Sequence, residues 1–530
     1  MKVLLHQLIQ VSRQNFPQQI ALEFKDRQIS YLELNNAVAE LANQLLSLDI
    51  QRYDRIAVYL PKTLETVVGF FSIAAAGAIF VPLNPLLKAA QVKYILDDCD
   101  VKVLITSFNR LKQILPVIGQ LEKLEKILIV DEIKSDLLED NIRTSLMSLQ
   151  LNFQKKSSYP DVDTIDTDTV AILYTSGSTG KPKGVVLSHR NMVCGAESVA
   201  NYLNYTNNER ILAVLPFSFD YGFSQLSSAF SIGARVVLME YLLPRDVLRA
   251  MEKYQITGLA AVPPLWIQLS QLQWPEAIKH SLRYITNSGG AMPLNTLQAL
   301  REQLPETQVF LMYGLTEAFR STYLEPKYLD SHPGSIGKAI PNAEILVLRA
   351  DGSECDAGEP GELIHRGSLV AQGYWDNPEA SAEVFKSLPN PAENSRPNVF
   401  NGELAVFSGD QVYKDKDGFL FFMNRKDEMI KTSGYRVSPN EIEEVSLADP
   451  SIKEAVAIGV PHPTLGQAIV IIACCNKSYE EKAFLRYFKH QLPNFMQPGK
   501  VIIKDSLPRN PNGKIDRKGL SLEHKTLFMT

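Results

Sequence analysis

Cysteine is scarce in this chain of 530 residues, and the five present, Cys99, Cys194, Cys355, Cys474 and Cys475, show no C-x-x-C spacing. That gives no basis for a disulfide framework or a zinc site, and a reducing, cytoplasmic setting is expected. A basic surplus is also missing. With 54 Lys and Arg against 59 Asp and Glu, the net charge is −5, so the chain offers no positive field to nucleic acid. Long apolar runs are few. The longest, Thr66 to Leu83, is broken by Gly69, Ser72 and Gly77 and ends in Val81-Pro82. It reads as a buried helix running into a strand, not as a membrane anchor. The first residues, Met1 to Ile9, hold too short an apolar run for a secretory signal and no small-residue cleavage site. Internal repeats and long low-complexity segments are lacking.

What is present is globular: 45% hydrophobic and 21% charged residues, in a chain too long for one core. Tyr31 to Leu48 carries apolar residues at helical spacing (Leu34, Val38, Leu41, Leu45). Apolar strands such as Arg55–Leu60, Val101–Ile105, Lys126–Val130 and Arg235–Leu238 alternate with helices, which predicts layered α/β construction with parallel strands. From about Asn342 the texture changes to short strands and Gly turns, a β-rich subdomain over about 342–424. A helix containing Ile442 and the strands Glu454–Gly459 and Ala468–Ala473 follow, giving a small α+β domain. The expected division is 1–424 and 425–530, with Ser387 to Pro397 an exposed loop.

The most informative segment is Leu173-Tyr-Thr-Ser-Gly-Ser-Thr-Gly-Lys-Pro-Lys-Gly184. Gly177, Gly180 and Gly184 let the chain turn tightly and expose N–H groups. Thr175, Ser176, Ser178 and Thr179 supply hydroxyl donors, and Lys181 and Lys183 supply positive charge. Such a loop wraps phosphates. It is not a Walker A loop, because Pro182 stands where Ser or Thr must follow the lysine. Apolar strands on both sides, Val170–Leu173 and Val185–Leu187, argue against a solvated linker.

Four further motifs follow in order: Tyr313-Gly-Leu-Thr-Glu317, Ser408-Gly-Asp410, Asn424-Arg-Lys-Asp427 and Pro508-Arg-Asn-Pro-Asn-Gly-Lys514. With the phosphate loop they resemble, in the same order, the motifs of the adenylate-forming superfamily of acyl-CoA synthetases, luciferase and amino-acid adenylation domains. The resemblance implies ATP and Mg²⁺ as cofactors and assigns roles. The 175–184 loop would hold the β- and γ-phosphates; Tyr313 would face adenine, with Gly289 and Gly314 beside the nucleotide. Thr316 would reach the α-phosphate, Glu317 would ligate Mg²⁺, and Asp410 with Arg425 would take the ribose. Lys514 would bridge the substrate carboxylate and the α-phosphate. Asp427 would be the hinge of a mobile C-terminal domain, and Gly434 would line a thiol channel. The chain departs from the family pattern at Ser408, usually threonine, and Asn424, usually glycine, which puts the local loop geometry in question.

Phe219-Asp220 resembles the motif by which amino-acid adenylation domains pair an aspartate with the substrate α-amine. A carboxylate set among aromatic residues is costly to bury without a cation. Alignment on neighbouring motifs adds Tyr221, Ser224, Leu265, Ile285, Asn287, Met312, Arg320 and Ser321 to the acid pocket. Its medium apolar lining favours a small amino acid, proline specifically, loaded onto a separate carrier protein. If Arg320 neutralises Asp220 instead, an acyl-CoA synthetase for a non-amino acid is implied. A non-catalytic ATP sensor is the third reading, opposed by the presence of every charged group that the chemistry needs. No carrier or condensation motif accompanies the chain, so the acceptor thiol is expected on another molecule, coenzyme A or a carrier protein.

Overall fold

The computed structural model describes the chain except residues 1, 88, 134–144, 176–181, 389–402, 426–429, 433–434, 438, 463–464, 476–480, 493–495, 512 and 530. The expected loop at Ser387 to Pro397 lies mostly outside the described residues. Among the described residues three sheets carry the fold, in a mixed α/β architecture.

The first sheet is built on parallel strands, Ile79–Pro82 and Val103–Thr106 flanking Arg55–Tyr59. Thr169–Thr175 joins alongside Ile79–Pro82, and Lys183–Ser188 returns antiparallel to it. The apolar run does divide into a helix, Leu64–Ala75, buried along most of its length, and the strand Ile79–Pro82. Gly77 makes the turn between them at φ +74°. No helix among the described residues is long and apolar enough to cross a membrane.

The second sheet has a parallel centre of Arg235–Leu238, Arg210–Ala213, Gly258–Ala261, Tyr284–Asn287 and Gln308–Tyr313. It continues antiparallel through Thr322–Leu324 and Ser335–Ala339 into Leu420–Arg425, Leu404–Lys414, Gly361–Gly367 and Ala343–Leu348. The β-rich part therefore begins before Asn342: Ser335–Ala339 pairs with both Thr322–Leu324 and Leu420–Arg425 and belongs to both regions. The sequence missed this because Ser335–Ala339 carries little apolar alternation.

Between the two sheets an aromatic stack locks the helices in place. Phe80 and Phe223 stack with ring centroids 5.2 Å apart, and Phe71 meets Phe230 edge-on at 5.3 Å. The helix Asp220–Ile232 is buried from Asp220 to Ser231. Its first residue is thereby fixed at the carboxyl end of the strand Arg210–Ala213. Ligands bind outside the carboxyl ends of parallel strands; Thr175 and Tyr313 are the last residues of such strands, and Asp220 follows one.

The third sheet is formed from residues 430–503, centred on the long hairpin Ile452–His462 with Gly466–Cys475. Cys474 and Cys475 are successive strand residues, so their side chains point to opposite faces, and both are free thiols, as are the other three cysteines.

Three histidines are held neutral by burial: His6 is lowered to about 4, and His189 and His365 to about 3. His189 Nδ1 accepts a hydrogen bond from Leu5 N at 3.0 Å, pinning the amino-terminal segment. An unfolded histidine binds a proton near pH 6.5, so stability is full above that pH and falls as pH drops toward 4 and 3. Between pH 6.5 and 5, before most carboxylates titrate, each histidine is expected to contribute a loss of up to about 1.4 kcal/mol per pH unit. Thermal unfolding of wild type and His6→Gln across this range measures it; the variant should show the shallower decline.

Candidate active site

The strands on either side of the expected phosphate loop form a hairpin in which Thr175 pairs with Lys183. Ser176, Gly177, Ser178, Thr179, Gly180 and Lys181 lie outside the described residues. At the hairpin mouth Thr175 Oγ1 donates to Lys183 O at 3.5 Å. A short strand, Gly373–Tyr374, pairs with the outgoing strand Lys183–Ser188. Trp375 N donates to Gly184 O at 2.7 Å, and a Cβ at Gly184 would stand 2.6 Å from Ile172 Cγ2 and 3.3 Å from Trp375 Cβ. Only glycine permits this approach. Lys183 Nζ then sits 5.1 Å from the centroid of the Tyr374 ring.

The strand Gln308–Tyr313 runs through Gly314 into a single 3₁₀ turn, Thr316–Ala318. Phe319 follows at φ +56°, a conformation costly for an aromatic residue. Gly195 makes room for it, since a Cβ there would lie 2.3 Å from the Phe319 ring. This reversal turns Arg320 inward, where it is 1% exposed. Glu317 Oε1 accepts from the Tyr374 hydroxyl at 2.7 Å, and Glu317 O accepts from Ala371 N at 2.9 Å.

Tyr313 donates its hydroxyl to Asp410 Oδ2 at 2.5 Å, bringing together the two motifs expected to flank adenosine. Ser408 serves in place of threonine: its hydroxyl donates to Leu363 O at 2.6 Å and accepts from Asp410 N at 3.1 Å. Asp410 lies opposite Arg425 in the ladder; the Arg425 side chain, Asp427 and Gly434 are outside the described residues.

Several of the residues expected to bind the acid converge on Asp220. Arg320 Nη1 donates to Asp220 Oδ2 at 3.4 Å, and Thr316 Oγ1 donates to Oδ1 at 3.3 Å. The other guanidinium nitrogen, Nη2, donates to Ser224 Oγ at 2.9 Å, and the group lies 4.5 Å from the Tyr221 ring centroid. Burial raises the Asp220 pKa, opposed by the charges of Arg320 and Lys514 and by the Thr316 hydrogen bond. Both contacts to the carboxylate are long, so it is short of donors. Phe219 meets Tyr221 edge-on at 6.3 Å, and a Cβ on Gly289 would lie 3.8 Å from the Phe219 ring, which puts Gly289 at this wall.

The other residues expected in the pocket have contacts of their own. Tyr221 shares a hydrogen bond with Thr286 at 2.6 Å, and Tyr284 on the same strand with Tyr205 at 2.6 Å. Strand alternation therefore turns Ile285 and Asn287 to the opposite face from Tyr221, and Thr286 is the residue facing it. Ser321 is directed to His365, with Oγ and Nδ1 2.9 Å apart, and Leu265 is buried in the helix Pro263–Ser270. Met312 touches the cluster indirectly: its sulfur accepts from the Tyr202 hydroxyl at 3.0 Å, and Tyr202 in turn feels the Arg320 charge. Thr286 and Tyr374 were missed by sequence reasoning. The period of two along Tyr284–Asn287 could have exposed the first; no local pattern marks the second.

The C-terminal loop is a small hairpin. Asn510 N donates to Lys514 O at 2.8 Å, Gly513 turns at φ +78°, and Arg509 bridges to Ile515. Asn84 Nδ2 donates to Pro511 O at 3.1 Å, docking the loop against the segment that follows the first-sheet strand Ile79–Pro82. Lys514 is exposed, and its charge reaches Asp220.

No cluster of three or more His, Cys, Asp or Glu among the described residues could hold a metal. One partly exposed carboxylate, Glu317, with one oxygen held by Tyr374, fits Mg²⁺, which commonly takes one or two protein carboxylates together with phosphate oxygens and water.

The AMP-binding enzyme family model matches residues 9–375, and the AMP-binding enzyme C-terminal domain matches residues 441–514. Tyrocidine synthase 1 of Brevibacillus parabrevis is 29% identical over 523 residues, 97% of this chain, which spans 44% of that protein. Against a linear gramicidin synthase polypeptide of the same organism the identity is 28% over 521 residues, and the chain spans only 10% of its length. A long-chain-fatty-acid–CoA ligase of Escherichia coli O157:H7 is 29% identical over 507 residues, covering 89% of this chain and 86% of the ligase. Among solved structures, o-succinylbenzoate CoA synthetase from Bacillus subtilis, in complex with the acyl-adenylate intermediate, superposes with TM-score 0.79 at 26% identity over 97% of each chain. ATP-bound MatB from Rhodopseudomonas palustris gives TM-score 0.85 at 24% identity over 100% of each, a likeness of fold.

Proposed function

Because the chain belongs to the AMP-binding enzyme family, we propose that it is an AMP-forming ligase that activates a small amino acid, proline the first to test. It then passes the acyl group to the phosphopantetheine thiol of a separate carrier protein. In the first step a carboxylate oxygen bonds to the α-phosphorus of ATP, the bond from that phosphorus to the bridging α,β-oxygen breaks, and pyrophosphate leaves. In the second, the thiol sulfur bonds to the acyl carbon, its proton is lost and AMP departs.

Attacking and attacked groups are both anionic, so this chain's residues act by placing the reactants and offsetting charge. The 175–184 loop holds the β- and γ-phosphates. Tyr313, Asp410 and Arg425 hold adenosine, and Thr316 meets the α-phosphate. Mg²⁺, carried in with ATP, supplies charge neutralisation on the phosphates, and Glu317 is its protein ligand.

One observation carries the choice of acid. An exposed cation, Lys514, lies within electrostatic reach of a buried anion, Asp220, whose donors are too few. Cation and anion in one site match the carboxylate and α-ammonium of an amino acid. Arg320 does pair with Asp220, but at 3.4 Å and with its better hydrogen bond given to Ser224, so the carboxylate keeps capacity for an ammonium. That same pair favours the second reading, an acyl-CoA synthetase for an acid without an amine. ATP–pyrophosphate exchange screened over amino, fatty and aryl acids, followed by acyl transfer to coenzyme A or to a phosphopantetheinylated carrier, decides between them. Failure of every acid to support exchange would favour the sensor reading.

Glu317→Gln keeps the shape and removes the charge. Its activity deficit is expected to shrink as Mg²⁺ is raised, measured by exchange across a Mg²⁺ titration. A deficit independent of Mg²⁺ would remove Glu317 from the metal shell.

A further inference from the structure

Tyr374 stands between the two groups assigned to the polyphosphate and to its metal. Its hydroxyl donates to Glu317 Oε1 at 2.7 Å, and its ring centroid lies 5.1 Å from Lys183 Nζ. The segment that carries it is tied at both ends of the same span. Ala371 N donates to Glu317 O at 2.9 Å, Gly373–Tyr374 pairs with the strand leaving the phosphate loop, and Trp375 N donates to Gly184 O at 2.7 Å. Ser381 Oγ accepts from Tyr374 N at 2.9 Å, and Phe385 packs edge-on against the ring at 5.5 Å, so the ring is fixed independently of its hydroxyl. Residues 371–375 thus form a strap joining the Glu317 turn to the phosphate-loop exit.

We infer that Tyr374 is a positioning residue with two tasks: its hydroxyl orients the Glu317 carboxylate toward the metal–phosphate complex, and its ring keeps Lys183 from pairing with that carboxylate. The inference rests on Glu317 being the Mg²⁺ ligand. A carboxylate with one oxygen held by a hydroxyl presents the other in a fixed direction, and partners of this kind in the outer shell commonly govern metal affinity by about 10–100-fold. Lys183 lies near the ring centroid and Glu317 on the hydroxyl of the same side chain, so removing the ring would free the lysine to pair with the carboxylate. That pair would withdraw a cation from the phosphates and a ligand from the metal at once. The aromatic face holds the ammonium by its quadrupole without neutralising it.

Wild type, Tyr374→Phe, Tyr374→Leu and Glu317→Gln can be compared by two readouts across a Mg²⁺ titration. One is pyrophosphate exchange; the other, free of turnover, is the Mg²⁺-dependent part of the rise in Tm produced by ATP. Tyr374→Phe keeps the ring and the strap, so its Tm without ligands should match wild type. Its half-saturating Mg²⁺ should rise roughly ten-fold in both readouts, with near wild-type exchange at saturating Mg²⁺ and an unchanged KM for ATP there. Tyr374→Leu should in addition raise the KM for ATP at saturating Mg²⁺, since Lys183 can then pair with Glu317. An unshifted Mg²⁺ requirement in Tyr374→Phe beside a shifted one in Glu317→Gln overturns the orienting role and leaves Glu317 as ligand. A requirement shifted in neither overturns the metal assignment of Glu317 and the inference with it. An unchanged KM for ATP in Tyr374→Leu overturns the spacer role.

Discussion

Lys514→Ala is expected to lose about 10²–10³ in the rate of adenylate formation while ATP binding is largely retained. That is the scale on which removing one preorganised charge-stabilising group slows a reaction. The lysine is presented by a hydrogen-bonded turn, with Asn510 N bonded to Lys514 O and Gly513 at φ +78°, and the turn is docked through Asn84 to Pro511 O. Truncation therefore removes the ammonium without dismantling its support. Two anions must then meet at the α-phosphorus with no cation between them. Pyrophosphate exchange and ATP-binding calorimetry on the same protein separate the two effects; exchange near the wild-type rate would refute the assignment. Thioester formation from supplied adenylate should suffer far less, because in the proposed cycle the C-terminal domain has by then rotated Lys514 away.

Asp220→Asn should change which acids are accepted more than how fast a good one reacts. If Asp220 receives an α-ammonium, the amide leaves that ammonium beside the buried guanidinium of Arg320 with no counter-charge. Truncating one member of a buried charge pair costs roughly 2–5 kcal/mol, which at about 1.4 kcal/mol per decade is about 30-fold to about 4,000-fold. Proline should be activated poorly, while cyclopentanecarboxylate, the same ring without its nitrogen, gains relative to it. If Asp220 serves Arg320 alone, the mutation loosens the pair and weakens all acids alike. The ratio of kcat/KM for proline to that for cyclopentanecarboxylate, measured in both proteins, is the discriminating quantity. An unchanged ratio removes the amino-acid reading and puts the acyl-CoA synthetase in its place.

The sequence by itself determined the parts that are local in the chain. Two apolar strands joined by a glycine-rich segment dictate a hairpin, and Thr175 does face Lys183 across its mouth. The apolar run broken at Gly77 becomes a buried helix and a strand because its length and its glycine allow little else. The lysine loop is likewise set by Asn510 and Gly513. Only the tertiary structure decided which side chains meet across the chain. Asp220 and Arg320 are 100 positions apart, and Tyr374 reaches Glu317 over 57, neither with any periodicity linking them. Arg320 turns inward because Phe319 adopts φ +56°, and that conformation depends on space left by Gly195, in the helix His189–Tyr202. Tyr221 meets Thr286 and not its neighbours Ile285 and Asn287, because strand side chains alternate and a slip of one position reverses the face. Backbone chemistry is written within a few residues of itself, whereas the charge balance around a substrate is fixed only when separate strands are brought side by side.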